Sequence, residues 1–261
     1  MYPRESSARG SSDLASYDVL GIPVTITSLE KAGETIRRWS EDDRGRFVCM
    51  RDVHGVMLAQ DDANLMQIHR RADMVAPDGM PLVLLGWLKG LPVSRACGPD
   101  LMGHICARSA QWGLKHYFYG GTPDVAAELA RKLSAQFPGL AIVGIESPPF
   151  RPATPAEDAE TVQRIKDSGA DIVWVGLSTP KQERWMSEHA HMLPATLIGV
   201  GAAFDFHAGT RSRAPMWMQK LAFEWLYRLL SEPRRLWRRY LVLAPQFTFR
   251  IASGTLRRRA A

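Results

Sequence analysis

Four short apolar runs that alternate with helical stretches constrain the fold of this chain most strongly. The runs occupy residues 115–119, 140–145, 171–177 and 195–200. Near-continuous apolar runs of this length are typical of strands covered on both faces. The helical stretches occupy residues 124–137, 154–168 and 181–192. Together with two earlier runs, residues 19–26 and 46–50, this alternation predicts an α/β fold built from βαβ units around a mainly parallel sheet.

Positive charge is concentrated at the C-terminal end. Residues 211–261 contain eleven arginines and one lysine against two acids, a net charge of +10, whereas residues 1–210 carry −4. Bases interleaved with tryptophan, tyrosine and leucine predict an anionic partner, which is a membrane, a nucleic acid or substrate phosphates. Residues 216–230 predict a helix with one apolar stripe, for which packing against the chain's own domain is the alternative.

Several classes of protein are disfavoured by what the sequence lacks. No run of apolar residues is long enough to span a bilayer. Residues 1–17 are polar and rich in serine and glycine, which predicts a flexible leader rather than a secretory signal. Three cysteines without CxxC spacing argue against a disulfide framework or zinc site and favour a reducing cytoplasm.

Familiar catalytic motifs are also missing from the sequence. It contains no GxxxxGK[ST], GxGxxG, GxSxG or HExxH motif, which disfavours ATPases, Rossmann dehydrogenases, serine hydrolases and zincins. There is no DxD triad, so the acidic metal clamp that many nucleotide-sugar enzymes use is not evident. We therefore expect neither a metal ion nor another cofactor.

Glycines and helix starts follow two of the predicted strands. Gly120 and Gly121 come after one strand, and Thr122 then precedes a proline; Thr179 precedes a proline after a second strand. A threonine before a proline predicts a capped helix start. Helix N-termini at the carboxyl edge of a parallel sheet attract anions, whereas simple capping is the alternative.

Asp78 is the first candidate catalytic residue. It lies in the turn sequence APDGMP with apolar neighbours on both sides. A carboxylate at the edge of an apolar pocket has a raised pKa and can act as a base. A turn aspartate bonded to its own backbone is the alternative.

Other loops offer further polar candidates. His54 follows the run at residues 46–50 and is either a ligand contact or a structural histidine. Asp100 is expected to cap a helix that begins at Leu101. In residues 199–209, Gly201 precedes Asp205, whose alternation with two phenylalanines predicts that it faces a ribose or sugar hydroxyl. The alternative is a core aspartate bonded to the backbone.

Five motifs in one order resemble the WecG/TagA/CpsF family of bacterial glycosyltransferases, glycosyltransferase family 26. They are PDGMP, FYGGTP, DIVWVGLSTPKQE, GVGAAFDFHAGTRSRAP and EWLYRLLSEPRRLWRRY. The similarity extends from about residue 19 to about residue 240. Each motif alone is modest, but five in order are highly specific.

The resemblance implies a Rossmann-like core, residues 18–210, and a basic helical appendage, residues 211–261, that completes the active site. It implies transfer of a sugar from a UDP-sugar to a saccharide on polyprenyl diphosphate, with inversion, in cell-surface polysaccharide or exopolysaccharide synthesis. It also implies a cytoplasmic enzyme attached peripherally to anionic lipid of the inner leaflet.

The resemblance also assigns residues. Asp78 matches the catalytic base, and Gln182 matches a residue near the substrates. Three appendage arginines match residues that reach the donor diphosphate, namely Arg228, Arg235 and Arg238. Gly120, Gly121, Thr179, Gly201 and Asp205 are expected on the donor side. The guanidinium groups of the three arginines, together with helix N-termini, would stabilise the leaving diphosphate in place of a metal ion.

One departure concerns Asp52, which occupies a position where many relatives have asparagine. Asp52 is therefore a second candidate carboxylate, and we expect it with His54 on the acceptor or sugar. Arg234, Arg239 and Trp237 are expected to contact lipid, as are Arg257, Arg258 and Arg259. A non-catalytic protein that binds membrane or nucleic acid through the basic tail is the alternative, and homo-oligomerisation is left open.

Overall fold

The structure, a computed structural model, describes residues 14–221 and 223–259, apart from the side chains of residue 220 and residues 255–259. Its centre is a six-stranded, entirely parallel sheet with strand order β4-β3-β8-β7-β5-β6. The strands of this sheet are β3 (Arg46–Arg51), β4 (Met74–Pro77), β5 (Lys115–Gly120), β6 (Ala141–Glu146), β7 (Ile172–Gly176) and β8 (Thr196–Gly199). The predicted α/β fold with a mainly parallel sheet is confirmed.

Helices connect the strands and cover both faces of the sheet. In the core they are α1 (Leu29–Trp39), α2 (Val53–Asp61), α3 (Ala63–Arg71), α4 (Met80–Leu88), α5 (Gly98–Cys106), α6 (Ser109–Trp112), α7 (Pro123–Gln136), α8 (Pro155–Ser168), α9 (Lys181–His189) with a following 3-10 turn (Ala190–Met192), and α10 (Ala203–Ala208). In the C-terminal region they are α11 (Met216–Lys220), α12 (Glu224–Ser231), α13 (Pro233–Trp237), a π-helical segment (Arg238–Leu243) and α14 (Ala244–Arg259).

Side chains of the central strands alternate between two hydrophobic clusters, one on each face of the sheet. In β7, Val173 and Val175 join the first cluster, whereas Ile172 and Trp174 join the second. All four residues are fully buried. This alternation follows from the two-residue period of a strand, and it explains why the central runs contain almost no polar residue.

Two strand predictions need correction, and one strand was missed. Residues 19–26 are not one strand, because the chain turns at Leu20 and Gly21 to make a separate antiparallel hairpin, β1 (Ser16–Val19) and β2 (Ile22–Thr25). Strand β4 was not predicted. Strand β6 lies at the edge of the sheet and is not covered on both faces, with Ile145 46% exposed.

The predicted helix starts are partly confirmed. Thr122 caps α7 by accepting a hydrogen bond from the backbone N–H of Val125. Thr179 does not cap α9; its hydroxyl instead donates to the Glu183 carboxylate at 3.0 Å. Asp100 was expected to cap a helix, but α5 begins earlier, so Asp100 lies in its first turn and forms an ion pair with Arg213.

Two predictions, one for the residues around Asp205 and one for residues 216–230, are wrong. Residues around Asp205 form α10 rather than an alternating strand, so the two neighbouring phenylalanines do not flank it as predicted. Residues 216–230 do not form one helix, because α11 ends at Lys220 and α12 begins at Glu224. The apolar stripe predicted over that range is therefore divided between two helices.

The C-terminal region is anchored to the core by buried apolar side chains. Phe247 of α14 is 5% exposed and belongs to the first hydrophobic cluster, which Leu243 and Ile251 also contact. Leu236 of α13 is also buried. Among the described residues, no helix combines the length and apolar character that crossing a bilayer requires.

Candidate active site

A cavity of about 260 Å³ lies between the carboxyl ends of β3 and β4 and the C-terminal helices. In an open parallel sheet, ligands bind beyond these strand ends. The cavity is lined by Asp52, Val53, His54, Asp78, Gly79, Met80, Pro81, Arg95, Glu224, Trp225, Arg228, Arg239, Tyr240 and Ala244. It therefore combines three carboxylates and three guanidinium groups with an apolar wall.

The backbone places Asp78 directly beside the end of β3. Strands β3 and β4 pair in parallel, with Arg51 opposite Pro77. The carbonyl of Arg51 then accepts hydrogen bonds from the N–H groups of Asp78, at 2.7 Å, and Gly79, at 3.2 Å. A Cβ on Gly79 would lie 3.2 Å from the Cβ of Asp52. Glycine therefore allows the Asp52 and Asp78 loops to approach closely.

Arg95 holds the Asp78 loop from the other side. Its Nε donates to the backbone carbonyl of Asp78 at 2.6 Å, and its Nη2 lies 3.5 Å from Asp78 Oδ1. Burial raises the pKa of the Asp78 carboxyl, the positive charge of Arg95 lowers it, and the negative charges of Asp52 and Glu224 raise it again. The net direction is upward. One third of the side chain still reaches solvent in the cavity, where a substrate hydroxyl can approach it.

Asp52 caps a helix and pairs with the C-terminal region. Its Oδ1 accepts from the Gly55 N–H at 3.0 Å at the start of α2, and its Oδ2 accepts from Arg239. Burial opposes the charged form, but the Arg239 guanidinium outweighs it and holds the pKa of Asp52 well below its usual range. Asp52 is therefore ionised, so it accepts hydrogen bonds and does not donate them.

His54 lies in the same cavity, on the first turn of α2. Burial lowers the pKa of its imidazole, the Asp52 carboxylate raises it, and the Arg239 charge lowers it again. The net direction is downward, which favours the neutral ring near pH 7. A neutral imidazole provides one donor and one acceptor to a sugar hydroxyl.

A buried ion pair joins Arg51, the residue before Asp52 at the end of β3, to Glu183 of α9. The two side chains are 1% and 0% exposed. Glu183 Oε1 also accepts from the Gln182 amide, at 3.0 Å, and from Thr179. The amide oxygen of Gln182 is buried and has no hydrogen-bond partner among the described residues. It points toward Gly201, where an added Cβ would lie 3.4 Å away.

The remaining predicted donor residues lie along the sheet edge, outside the lining of the cavity. Gly120 has a φ of +133°, and a Cβ there would lie 2.6 Å from the backbone of Gly176. Asp205 accepts from Thr210 Oγ1 at 3.2 Å and lies 3.7 Å from Arg211 Nε. The structure thus brings Asp52, His54, Asp78, Arg228 and Arg239 together in one cavity lining. Six other predicted residues are not part of that lining, namely Gly120, Gly121, Thr179, Gln182, Gly201 and Asp205.

The C-terminal arginines occupy different surroundings. Arg228 lines the cavity and lies over the Phe206 ring, 5.9 Å from its centroid. Arg235 pairs with Glu232 at 2.7 Å, and Glu232 also pairs with Arg211, beside Asp205. Arg238 is exposed.

The residues expected to contact lipid are also separated. Arg234 and Trp237 are exposed, and Trp237 has 48% of its surface accessible. Arg239, in contrast, lies in the cavity on Asp52. The side chains of Arg257, Arg258 and Arg259 lie outside the described part.

Several lining residues were not singled out from the sequence. Arg95 and Glu224 form an ion pair, and the rings of Trp225 and Tyr240 lie 5.9 Å apart on the apolar wall. No recognisable motif surrounds Arg95 in the sequence. It reaches the site because its segment lies against the end of β4, where the Ala96 N–H donates to the Pro77 carbonyl at 2.9 Å. For Trp225 and Tyr240, the signal was their location in the tail motif.

This arrangement suits proton transfer next to bound phosphate. A carboxylate with a raised pKa can accept a proton near neutral pH. Guanidinium forks match phosphate oxygens and stabilise negative charge on a leaving group. Within residues 14–221 and 223–259, no three histidine, cysteine or carboxylate side chains are grouped as ligands for a metal ion.

Comparison with known proteins agrees with this chemistry. The family described as Glycosyl transferase WecG/TagA/CpsF matches residues 17–261. An N-acetylglucosaminyldiphosphoundecaprenol N-acetyl-beta-D-mannosaminyltransferase of Bacillus spizizenii is 30% identical over 210 residues, covering 80% of this chain and 79% of that protein. This chain therefore belongs to the WecG/TagA/CpsF family of glycosyltransferases.

Proposed function

We propose that this glycosyltransferase transfers a sugar from a UDP-sugar to a saccharide carried on polyprenyl diphosphate, with inversion at the anomeric carbon. The observation that carries the proposal is the location of Asp78. Its carboxyl has a raised pKa and opens into a cavity that also contains Arg95, Arg228 and Arg239. A base and several phosphate-binding groups in one cavity match both halves of this reaction.

Asp78 is the group that accepts a proton in this reaction. As the acceptor hydroxyl oxygen bonds the anomeric carbon, its proton passes to the Asp78 carboxylate. The bond from the anomeric carbon to the phosphate oxygen breaks, and UDP leaves with the electron pair. Attack from the face opposite the leaving group inverts the configuration.

Cationic groups stabilise the departing diphosphate. Arg228 extends from α12 into the cavity, and Arg239 lies at the start of the π-helical segment. Removal of one preorganised contact of this kind costs on the order of 10²–10³ in rate. Arg235 and Arg238 are further out and would reach the diphosphate only if the substrate extends beyond the cavity.

The acceptor class is supported by the relative from Bacillus spizizenii, whose name specifies a diphosphoundecaprenol-linked N-acetylglucosamine. We infer an acceptor of the same class for this chain, in the synthesis of a cell-surface polysaccharide or exopolysaccharide. Asp52 lies beside Asp78 and would accept a hydrogen bond from a sugar hydroxyl. The identity of the transferred sugar is the quantity to be measured.

A peripheral location at the cytoplasmic face of the membrane follows from such an acceptor. The C-terminal region exposes Trp217, Leu221, Trp237 and Leu241, which have 60%, 61%, 48% and 58% of their surfaces accessible. Exposed apolar side chains next to arginines such as Arg234 bind anionic bilayers.

The decisive experiment combines purified protein, a panel of UDP-sugars and N-acetylglucosamine on a short-chain prenyl diphosphate. Mass spectrometry identifies the product and NMR its anomeric configuration. We expect one disaccharide lipid with an inverted linkage, formed at least about 10²-fold more slowly by Asp78→Asn. A retained configuration, or no product with any UDP-sugar, would contradict the proposal.

A further inference from the structure

Helix α4 exposes a row of large apolar side chains. Leu84, Trp87 and Leu88 are 47%, 52% and 84% exposed. The helix contains no charged residue between Met80 and Leu88. Exposed apolar rows of this kind on a folded protein mark binding surfaces more often than isolated exposed leucines do.

This row begins inside the cavity. Met80 and Pro81 line the cavity, and Leu84 and Leu88 follow Met80 at intervals of four residues, on the same face of the helix. We call Met80, Leu84, Trp87 and Leu88 the α4 stripe. At 1.5 Å per residue, it extends about 12 Å from the cavity, long enough for a few isoprenoid units.

The opposite face of α4 is fixed in the core. Leu82 and Val83 are completely buried, and the Tyr17 hydroxyl donates to the Leu82 carbonyl at 2.7 Å. The Trp87 indole N–H donates to the Val93 carbonyl, also at 2.7 Å. These contacts fix the orientation of the helix with the stripe outward. Rotation of the helix therefore cannot bury the exposed side chains.

Polar and apolar surface follow one another in a definite order along this part of the protein. Asp52 and His54, the groups expected on the acceptor sugar, line the cavity, and the stripe starts in the same lining at Met80. A lipid-linked acceptor has the same order, with a polar saccharide diphosphate followed by a hydrocarbon chain. A planar bilayer is expected to contact apolar residues on the outside of the protein. It does not require a row of apolar residues that starts within a cavity.

We propose that the α4 stripe binds the first isoprenoid units of the lipid acceptor. This inference rests on the proposed function, and it adds a subsite for the hydrocarbon of the acceptor. The acceptor saccharide lies in the cavity, while the proximal chain runs along Leu84 and Leu88 toward the membrane. The stripe thus recognises the lipid part of the acceptor and does not contact its sugar.

Direct binding tests the subsite without any transfer reaction. Affinities of the full chain for dimethylallyl diphosphate and geranylgeranyl diphosphate are measured by calorimetry below the micellar concentration of the longer ligand. The wild-type protein should bind the longer ligand more tightly. In Leu84→Ser/Leu88→Ser, the advantage of the longer chain should fall about tenfold, because two apolar contacts are lost.

Phe150→Ser is the matched control, since Phe150 is 88% exposed and lies beyond β6, at the opposite edge of the sheet from β4. This variant should keep the chain-length advantage. Circular dichroism verifies that each variant is folded. If Leu84→Ser/Leu88→Ser keeps the full advantage in affinity for the longer ligand, the inference is overturned. It is also overturned if this variant binds acceptor-free anionic vesicles more weakly while its chain-length dependence stays normal. That second result would place the stripe on the bilayer.

A transfer assay separates this inference from the proposed function. The readout is the ratio of kcat/KM for long-chain and short-chain acceptors. A ratio that falls about tenfold in the double variant supports the subsite, and an unchanged ratio in an active enzyme overturns it. Absence of transfer by wild-type protein would contradict the proposed function alone, because the calorimetric comparison would still decide the subsite.

Discussion

Arg95 and Glu224 form an ion pair that joins the Asp78 loop to the C-terminal helices. Arg95 Nη1 lies 2.9 Å from Glu224 Oε2, while Nε of the same guanidinium binds the Asp78 carbonyl. Both side chains are largely buried, at 23% and 14% exposure. The position of the candidate base therefore depends on a residue of the core and a residue of α12 together.

Glu224→Gln should slow transfer by about tenfold while leaving the fold intact, because a neutral amide holds the guanidinium less firmly. Two quantities are measured: kcat and KM of transfer, and the rate of limited proteolysis within residues 211–221. We expect faster cleavage there in the variant. Glu160→Gln, on an exposed pair with Arg164, is the control. Equal kinetics in both variants would show that the ion pair does not position the site.

Asp78→Asn should reduce transfer by at least about 10²-fold, the lower range for loss of a general base. The amide cannot accept the acceptor proton, but its similar size preserves the loop. Binding of UDP, measured by calorimetry, should be nearly unchanged. Asp124→Asn, in the first turn of α7, is a control of the same chemistry. Wild-type turnover by Asp78→Asn would exclude Asp78 as the base.

The acid side of the pH profile should report Asp78. The pKa of this carboxyl is raised, so its active, deprotonated form is lost at a higher pH than for an ordinary aspartate as the pH falls. Asp52→Asn removes a neighbouring negative charge, lowers the pKa of Asp78 and should move the acid limb of kcat/KM to lower pH. A limb that moves up, or stays in place, would assign it to another group.

Removal of one partner of the buried ion pair Arg51–Glu183 should destabilise the protein strongly. Glu183→Gln leaves the Arg51 charge buried without a counter-charge, which costs roughly 3–5 kcal/mol of unfolding free energy. Chemical denaturation measures this loss. Arg51→Met/Glu183→Gln should recover part of it, because neither charge then remains. A double variant less stable than Glu183→Gln alone would contradict this account.

Substitution of Arg234 should affect lipid binding, whereas substitution of Arg239 should affect catalysis. Arg239 lies in the cavity on Asp52, whereas Arg234 is exposed. Arg239→Ala should lower transfer to a water-soluble acceptor by about 10²-fold. Arg234→Ala should instead weaken sedimentation with anionic vesicles and keep that transfer. The reverse pattern would support the assignment of Arg239 to lipid.

Sequence patterns predicted the central strands well. The runs that became β7 and β8 are apolar because both faces of those strands are covered. Strand β4 is equally buried, but it escaped prediction because it ends at Pro77, next to an Asp-Gly pair that indicates a turn. Alternation around Asp205 misled because six residues fit a short helix as well as a strand.

The candidate site was predictable only where a motif marked it. Asp78 stood out because proline and glycine surround a carboxylate in apolar sequence. The roles of Arg95 and Glu224 depend on a contact between distant parts of the chain, which a single sequence does not encode as a pattern. Arg239 could not be distinguished from its basic neighbours, because the helical path that turns one arginine inward is set by tertiary packing.

The pairing of Asp52 with Arg239 has a consequence for how an anion enters. With His54 neutral, the cavity lining carries three negative and three positive side chains, so it is formally neutral before substrate arrives. In the proposed reaction, a diphosphate would compete with Asp78 and Glu224 for Arg95 and with Asp52 for Arg239. Its entry would then be an exchange of partners in which Arg239 releases Asp52, and the freed carboxylate turns to a sugar hydroxyl.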